Sequence, residues 1–116
     1  MSEMELTGYD LVNNLNNLQI ELRNSLRKLR ETGTDYAVKE RDYRVLLRQE
    51  VLKMRDDGQA IGIISLVCHG IPEVAEARMK RDIAEATYKA NQEAINVLKL
   101  QIRVLENQIS REWVNE

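Results

Sequence analysis

The sequence predicts an all-α protein: a long antiparallel helical hairpin, or coiled coil, with a short apolar helix at its tip. Apolar residues recur at heptad spacing along two segments, one on each side of the midpoint. The stretch between them, GQAIGIISLVCHGIP, is uncharged, although 31% of the 116 residues are charged. Only 4% are aromatic, which is unusual for a sheet protein. We therefore expect one helical domain over residues 1–116.

The first heptad segment predicts a helix over residues 8–56. Its heptad register crosses Gly33 without slipping, and one glycine inside a helix costs only about 1 kcal/mol. A single uninterrupted helix is therefore expected, with its end at Asp57-Gly58. The residues that recur at intervals of seven are Leu15, Leu22, Leu29, Tyr36 and Tyr43.

The uncharged stretch predicts a tip segment over residues 58–71, with a short helix between Gly58 and Gly70. Two arms and one short helix cannot surround so many aliphatic side chains, so we expect the tip to be an interface. For the same reason we expect a homo-oligomer. The candidate interface residues are Ile61, Ile63, Ile64, Leu66 and Val67.

The second heptad segment predicts a helix over residues 72–113, with Pro72 in its first turn. Its seam contains two polar exceptions, Arg81 and Asn91. Folding the chain back at the tip predicts that Tyr43 and Tyr36 face an alanine-rich stretch formed by Ala84, Ala86, Ala90 and Ala94. The same pairing puts Leu29 near Lys99 and lets Trp113 close the open end near Leu15.

Arginines follow one side of the first helix near the tip, and two more are expected close to them. Such a stripe can contact the phosphates of a nucleic acid. The alternative is a surface of internal salt bridges, which the interleaved carboxylates and the formal charge of -2 favour. The candidate nucleic-acid contacts are Arg41, Arg44, Arg48, Arg55, Arg78 and Arg81.

Catalytic motifs are not found in the sequence. Cys68 and His69 are adjacent, but neighbouring residues of a helix point in different directions, and the chain has no second cysteine or histidine. The glycines lack the Gly-Lys-Ser/Thr ending of a phosphate loop. We therefore expect no enzyme activity, no cofactor and no metal site.

The lack of a recognisable targeting signal predicts a cytoplasmic protein. The start MSEMELTGYD has neither the basic segment nor the apolar run of a signal peptide. The uncharged stretch is too short and too rich in glycine to span a bilayer. We expect no membrane association.

Three stretches resemble small, uncharacterised coiled-coil proteins of phages and prophages of Gram-positive bacteria. They are RDYRVLLRQEVLKMRDDG, HGIPEVAEARMKRDIAEATYKANQEAI and LQIRVLENQISREW. The resemblance covers residues 36–113 and implies an accessory protein of the host cytoplasm, without a defined activity.

The residues and the resemblance together predict a non-enzymatic interaction or assembly protein. Its partner would be a second copy, or another phage or host protein. The alternative is a nucleic-acid-binding accessory factor in phage replication or recombination.

Overall fold

The computed structural model describes residues 8–114, which form three helices. Helix α1 spans Gly8–Asp56, α2 spans Ile61–Cys68 and α3 spans Pro72–Val114. The prediction of an all-α helical hairpin is confirmed. The predicted bounds of α1 are also confirmed, and α3 ends one residue later than expected. The chain divides into two compact units. Unit 1 contains residues 8–29 and 90–114, and unit 2 is Arg30–Lys89.

Helix α1 ends in a Schellman motif. The Gly58 N–H donates to the Arg55 carbonyl at 3.0 Å, and the Gln59 N–H donates to the Met54 carbonyl at 3.0 Å. This closure requires a left-handed residue after the helix, and Gly58 has a φ of 81°. A glycine adopts that conformation without the steric cost of a Cβ, so the helix ends at the predicted stop.

The path from α2 into α3 is fixed by backbone hydrogen bonds. The N–H groups of Gly70 and Ile71 donate to the carbonyls of Val67 and Cys68, at 3.0 and 3.2 Å. Pro72 then occupies the first position of α3, where its missing N–H has no helical partner to lose. The predicted role of Pro72 is confirmed.

Helix α1 continues through Gly33, and the glycine there makes room for a side chain of α3. A Cβ built on Gly33 would lie 3.0 Å from Cε1 of Tyr88. The Tyr88 ring can therefore approach the α1 backbone and pack beside Tyr36, with 6.0 Å between the ring centroids.

In unit 2, Tyr36 contacts Tyr88 and Glu85. Both lie within the alanine-rich stretch that was expected opposite Tyr36, so this expectation agrees with the structure. In unit 1 the expected pairing of Leu29 with Lys99 is wrong, because Asn91 contacts Ser25 instead. A heptad pattern looks the same after a slide of seven residues, so apolar spacing does not fix the exact alignment.

The expected role of Trp113 in unit 1 is also wrong, because its side chain is largely exposed. Asn91 contacts Ser25, and Trp113 is 22 residues beyond Asn91 whereas Leu15 is only ten residues before Ser25. Trp113 therefore lies beyond the level of Leu15.

Both polar exceptions in the α3 seam bind α1. In unit 1, Asn91 Nδ2 donates to the backbone carbonyl of Ser25 at 3.1 Å. In unit 2, Arg81 Nη1 donates to Glu40 Oε1 at 2.8 Å. These polar residues, which interrupt the heptads, thus make specific cross-helix contacts.

Candidate functional site

Helix α2 displays an exposed apolar surface, which we call the tip surface: Ile61, Ile63, Leu66 and Val67. Leu66 is 81% exposed and Ile61 is 76% exposed. Four of the five branched aliphatic side chains of this helix thus face solvent. Exposed apolar patches of this kind commonly mark interaction sites.

Ile64 does not belong to the tip surface, although it was among the candidate interface residues. It is only 4% exposed, and Cys68, one turn later, is also buried. Residues four apart lie on the same side of a helix, so Ile64 and Cys68 form the inner side of α2. The Cys68 thiol donates to Met54 Sδ at 3.5 Å.

A groove on α3 extends from the end of the tip helix. It has a volume of about 440 Å³, and His69, the residue that follows α2, is one of its lining residues. Met79 and Ile83 are about half exposed along it, and Arg78 and Asp82 supply its charged groups. The remaining lining residues are the alanines at 75 and 86.

Cys68 and His69 do not form a catalytic pair. The thiol is buried against Met54, whereas His69 Nδ1 lies 3.0 Å from the Ser65 carbonyl. Because a carbonyl only accepts, Nδ1 is the donor there. Among residues 8–114, no group of three or more metal-ligating side chains converges on a point.

Arg81 is held inside unit 2 and is poorly placed for a phosphate. Its side chain is 18% exposed, and Nε donates to Asp82 Oδ1 at 2.7 Å while Nη1 donates to Glu40. The hydrogen bond that Arg81 donates to Asp82, aided by the one it donates to Glu40, raises the pKa of Arg81 above its ordinary value. Because Nε and Nη1 of this guanidinium already donate to carboxylates, it has fewer free N–H groups with which to bind a phosphate.

The other arginines of the predicted stripe are all exposed. Arg41 pairs with Asp42 at 3.1 Å, and Arg44 lies 3.6 Å from Glu40. Within the described part of the chain, no carboxylate lies within ion-pair distance of the remaining three. Those three are Arg48, Arg55 and Arg78.

Sequence reasoning missed the cluster of side chains that surrounds Arg81. Arg81 lies over the Tyr43 ring, and one turn of α3 later the Tyr36 hydroxyl donates to Glu85 Oε2 at 3.3 Å. The signal was present, since Arg81 interrupts an otherwise apolar heptad, but its partners depend on the register.

The chain has no match among protein-family models, curated proteins or solved structures. None of the helices within residues 8–114 has a stretch long and apolar enough to cross a bilayer.

Proposed function

We propose that the protein is a non-enzymatic coiled-coil interaction or assembly protein that binds a partner protein through its tip surface. The observation that carries this proposal is the exposure of Ile61, Ile63, Leu66 and Val67 on one short helix. At about 25 cal/mol per Å², a few hundred Å² of such surface contributes several kcal/mol to association.

The fold supports this use of the tip. Ile64 and Cys68 anchor α2 from its inner side, so the exposed residues are presented on an ordered helix. Preorganised apolar side chains lose little entropy when a partner covers them. The groove with Met79 and Ile83 provides a further exposed apolar area on α3, beside His69.

The setting follows from the resemblance to phage coiled-coil proteins. It supports a proposed role in the cytoplasm of an infected Gram-positive host, in which the protein assembles with copies of itself and binds a phage or host protein.

The experiment compares partner capture from phage-infected cells by three proteins. They are the wild type, a tip variant Ile61→Ser/Leu66→Ser, and a control variant Val45→Ser/Leu52→Ser, whose aliphatic side chains on α1 are about half exposed. We expect the control to retain the partner and the tip variant to lose it. With the purified partner, the tip variant should bind about tenfold more weakly or worse. Equal binding by all three proteins would refute the proposal.

Folding of the tip is tested separately with Ile64→Ser. This change places a hydroxyl at a buried position, so it should lower the unfolding temperature. The tip variant should leave that temperature almost unchanged, because both of its substituted residues face solvent. A large loss of stability in the tip variant would make the tip surface part of the core.

Nucleic-acid binding is the second candidate function. It is favoured by Arg48, Arg55 and Arg78, which are exposed and without a carboxylate partner in the described residues. A phosphate contact weakens steeply with salt, unlike apolar association. Arg48→Gln/Arg55→Gln should therefore abolish low-salt DNA binding if this function is correct, and an unchanged affinity would eliminate it.

A further inference from the structure

Unit 1 contains a groove whose lining differs from the rest of the chain. It has a volume of about 550 Å³ and lies between α1 and α3. None of its lining residues is ionisable, in a chain where 31% of residues are charged. Four are aliphatic and four are amides: Leu18, Leu100, Val104 and Leu105, with Asn14, Asn17, Gln101 and Gln108.

The aliphatic residues give the groove an exposed apolar area. Leu100 and Val104 are each 57% exposed, whereas Leu105 is buried beneath them. Leu100 and Val104 are four residues apart and therefore lie on one side of α3. The seam with α1 leaves this side uncovered.

We propose that the groove is the contact between two copies of this chain, packed groove to groove about a two-fold axis. A two-fold contact brings identical surfaces together, so each surface must complement itself. An amide group both donates and accepts hydrogen bonds, so Asn17 and Gln101 can pair with the same residues of a second copy. Side chains of a single charge sign could not, since like charges would then meet.

The chemistry also favours a second copy over a charged ligand. A charged group placed in this groove would lose water without gaining an opposite charge. A nucleic acid is excluded for the same reason, because the lining supplies no cation.

The size of unit 1 fits a dimer contact. Its α3 segment, residues 90–114, is about 37 Å long at 1.5 Å per residue. Two helices side by side are about 20 Å wide, so the whole side of unit 1 on which the groove opens is of the order of 700 Å², with the eight lining residues as only one part of it. A standard interface buries about 800 Å² on each partner. The inference specifies the self-assembly within the proposed function and rests on it, but it uses a surface other than the tip.

The test replaces the amides by charges at exposed positions. An acidic variant carries Asn17→Asp/Gln101→Glu, and a basic variant carries Asn17→Lys/Gln101→Lys. The control Asn24→Asp/Asn96→Asp adds charge to exposed amides of the same unit that lie outside the groove. Masses are measured by sedimentation at micromolar protein, and helicity by circular dichroism.

We expect the wild type and the control to be dimers and each charged variant to be a monomer of unchanged helicity. Mixing the acidic and basic variants should restore a dimer with one copy of each, which high salt weakens. A monomeric wild type, a charged variant that remains dimeric, or a mixture that stays monomeric would overturn the inference.

The tip variant Ile61→Ser/Leu66→Ser separates this inference from the proposed function. It should lose the partner protein and remain a dimer, while the acidic variant should lose the dimer. A tip variant that becomes monomeric would move self-association to the tip and overturn the groove-to-groove contact.

Discussion

The guanidinium of Arg81 lies over the ring of Tyr43, with its central carbon 4.7 Å from the ring centroid. Tyr43 is buried, so the cation covers an aromatic face inside unit 2. Such contacts contribute about 0.5–2 kcal/mol, depending on desolvation. The same guanidinium binds Glu40 across the seam, and thus combines packing with an ion pair.

Replacing Arg81 with Ala should lower the free energy of unfolding by about 2 kcal/mol, because Glu40 loses its closest cation and Tyr43 loses its cover. Arg44→Ala is the matched control. Arg44 contacts the same carboxylate at 3.6 Å, but its side chain is 74% exposed. Its loss should cost less than about 0.5 kcal/mol. Urea denaturation measures both, and equal effects would contradict the assignment of the cross-helix bond to Arg81.

Replacing Gly33 with Ala should show a conflict between helix propensity and packing. Alanine favours the helix by about 1 kcal/mol, but its Cβ would lie 3.0 Å from the Tyr88 ring. We expect the full gain only in a Tyr88→Ala background, where the ring is gone. A double-mutant cycle in urea measures the coupling. Additive effects of the two changes would show that the ring does not restrict this position.

Crosslinking in unit 1 should follow the observed pairing and exclude the one expected from sequence. In a Cys68→Ala background, cysteines at positions 25 and 91 should react with a short bismaleimide, since Asn91 hydrogen-bonds to Ser25. Cysteines at Leu29 and Lys99 should not. With Ser25 beside Asn91, Leu29 and Lys99 lie about 18 Å apart along the helix axes. Faster crosslinking of the second pair, measured by gel mobility after trypsin digestion, would refute the pairing.

Tyr36 should make stability fall in alkaline solution. Partial burial, followed by the negative charge of Glu85 and the hydrogen bond to it, raises the pKa of the Tyr36 hydroxyl above its ordinary value. The folded state therefore holds this proton at pH values where the unfolded state has lost it. Its contribution is complete below the unfolded pKa and is lost as the pH rises through the folded pKa.

The measurement compares the wild type with Tyr36→Phe between pH 9 and the onset of alkaline unfolding, over a range of about two units. The unfolding free energy of the wild type should fall more steeply than that of Tyr36→Phe. In a spectroscopic titration of the folded protein, the tyrosine removed by the substitution should be one that ionises late. Parallel stability curves would contradict this prediction.

The helices were predictable from sequence because their signals are local. The Schellman closure at Gly58 and the start of α3 at Pro72 each depend on one residue whose backbone preferences are known. Continuity through Gly33 followed from the heptads. The register was not predictable in this way, since sliding one helix by a heptad preserves the match of apolar faces.

The register depends on residues whose partners are remote in sequence. Arg81 is separated from Glu40 by 41 positions, and Asn91 from Ser25 by 66. Sequence reading recognised Arg81 and Asn91 as exceptions but had no means of assigning their partners. The same reading grouped Ile64 with the exposed tip residues, because an eight-residue helix that is apolar all round has no periodicity to mark its inner side.

The two sides of α2 also differ in how freely they can change. Ile64 and Cys68 are buried, so substitutions there disturb packing and are restricted in size and polarity. Leu66 and Ile61 on the outer side contribute little to folding, and new side chains there alter the surface without unfolding the helix. Substitutions at these outer positions can therefore change the chemistry of the tip surface while the scaffold beneath it stays the same. For an engineer, the same positions are sites where a recognition sequence can be grafted.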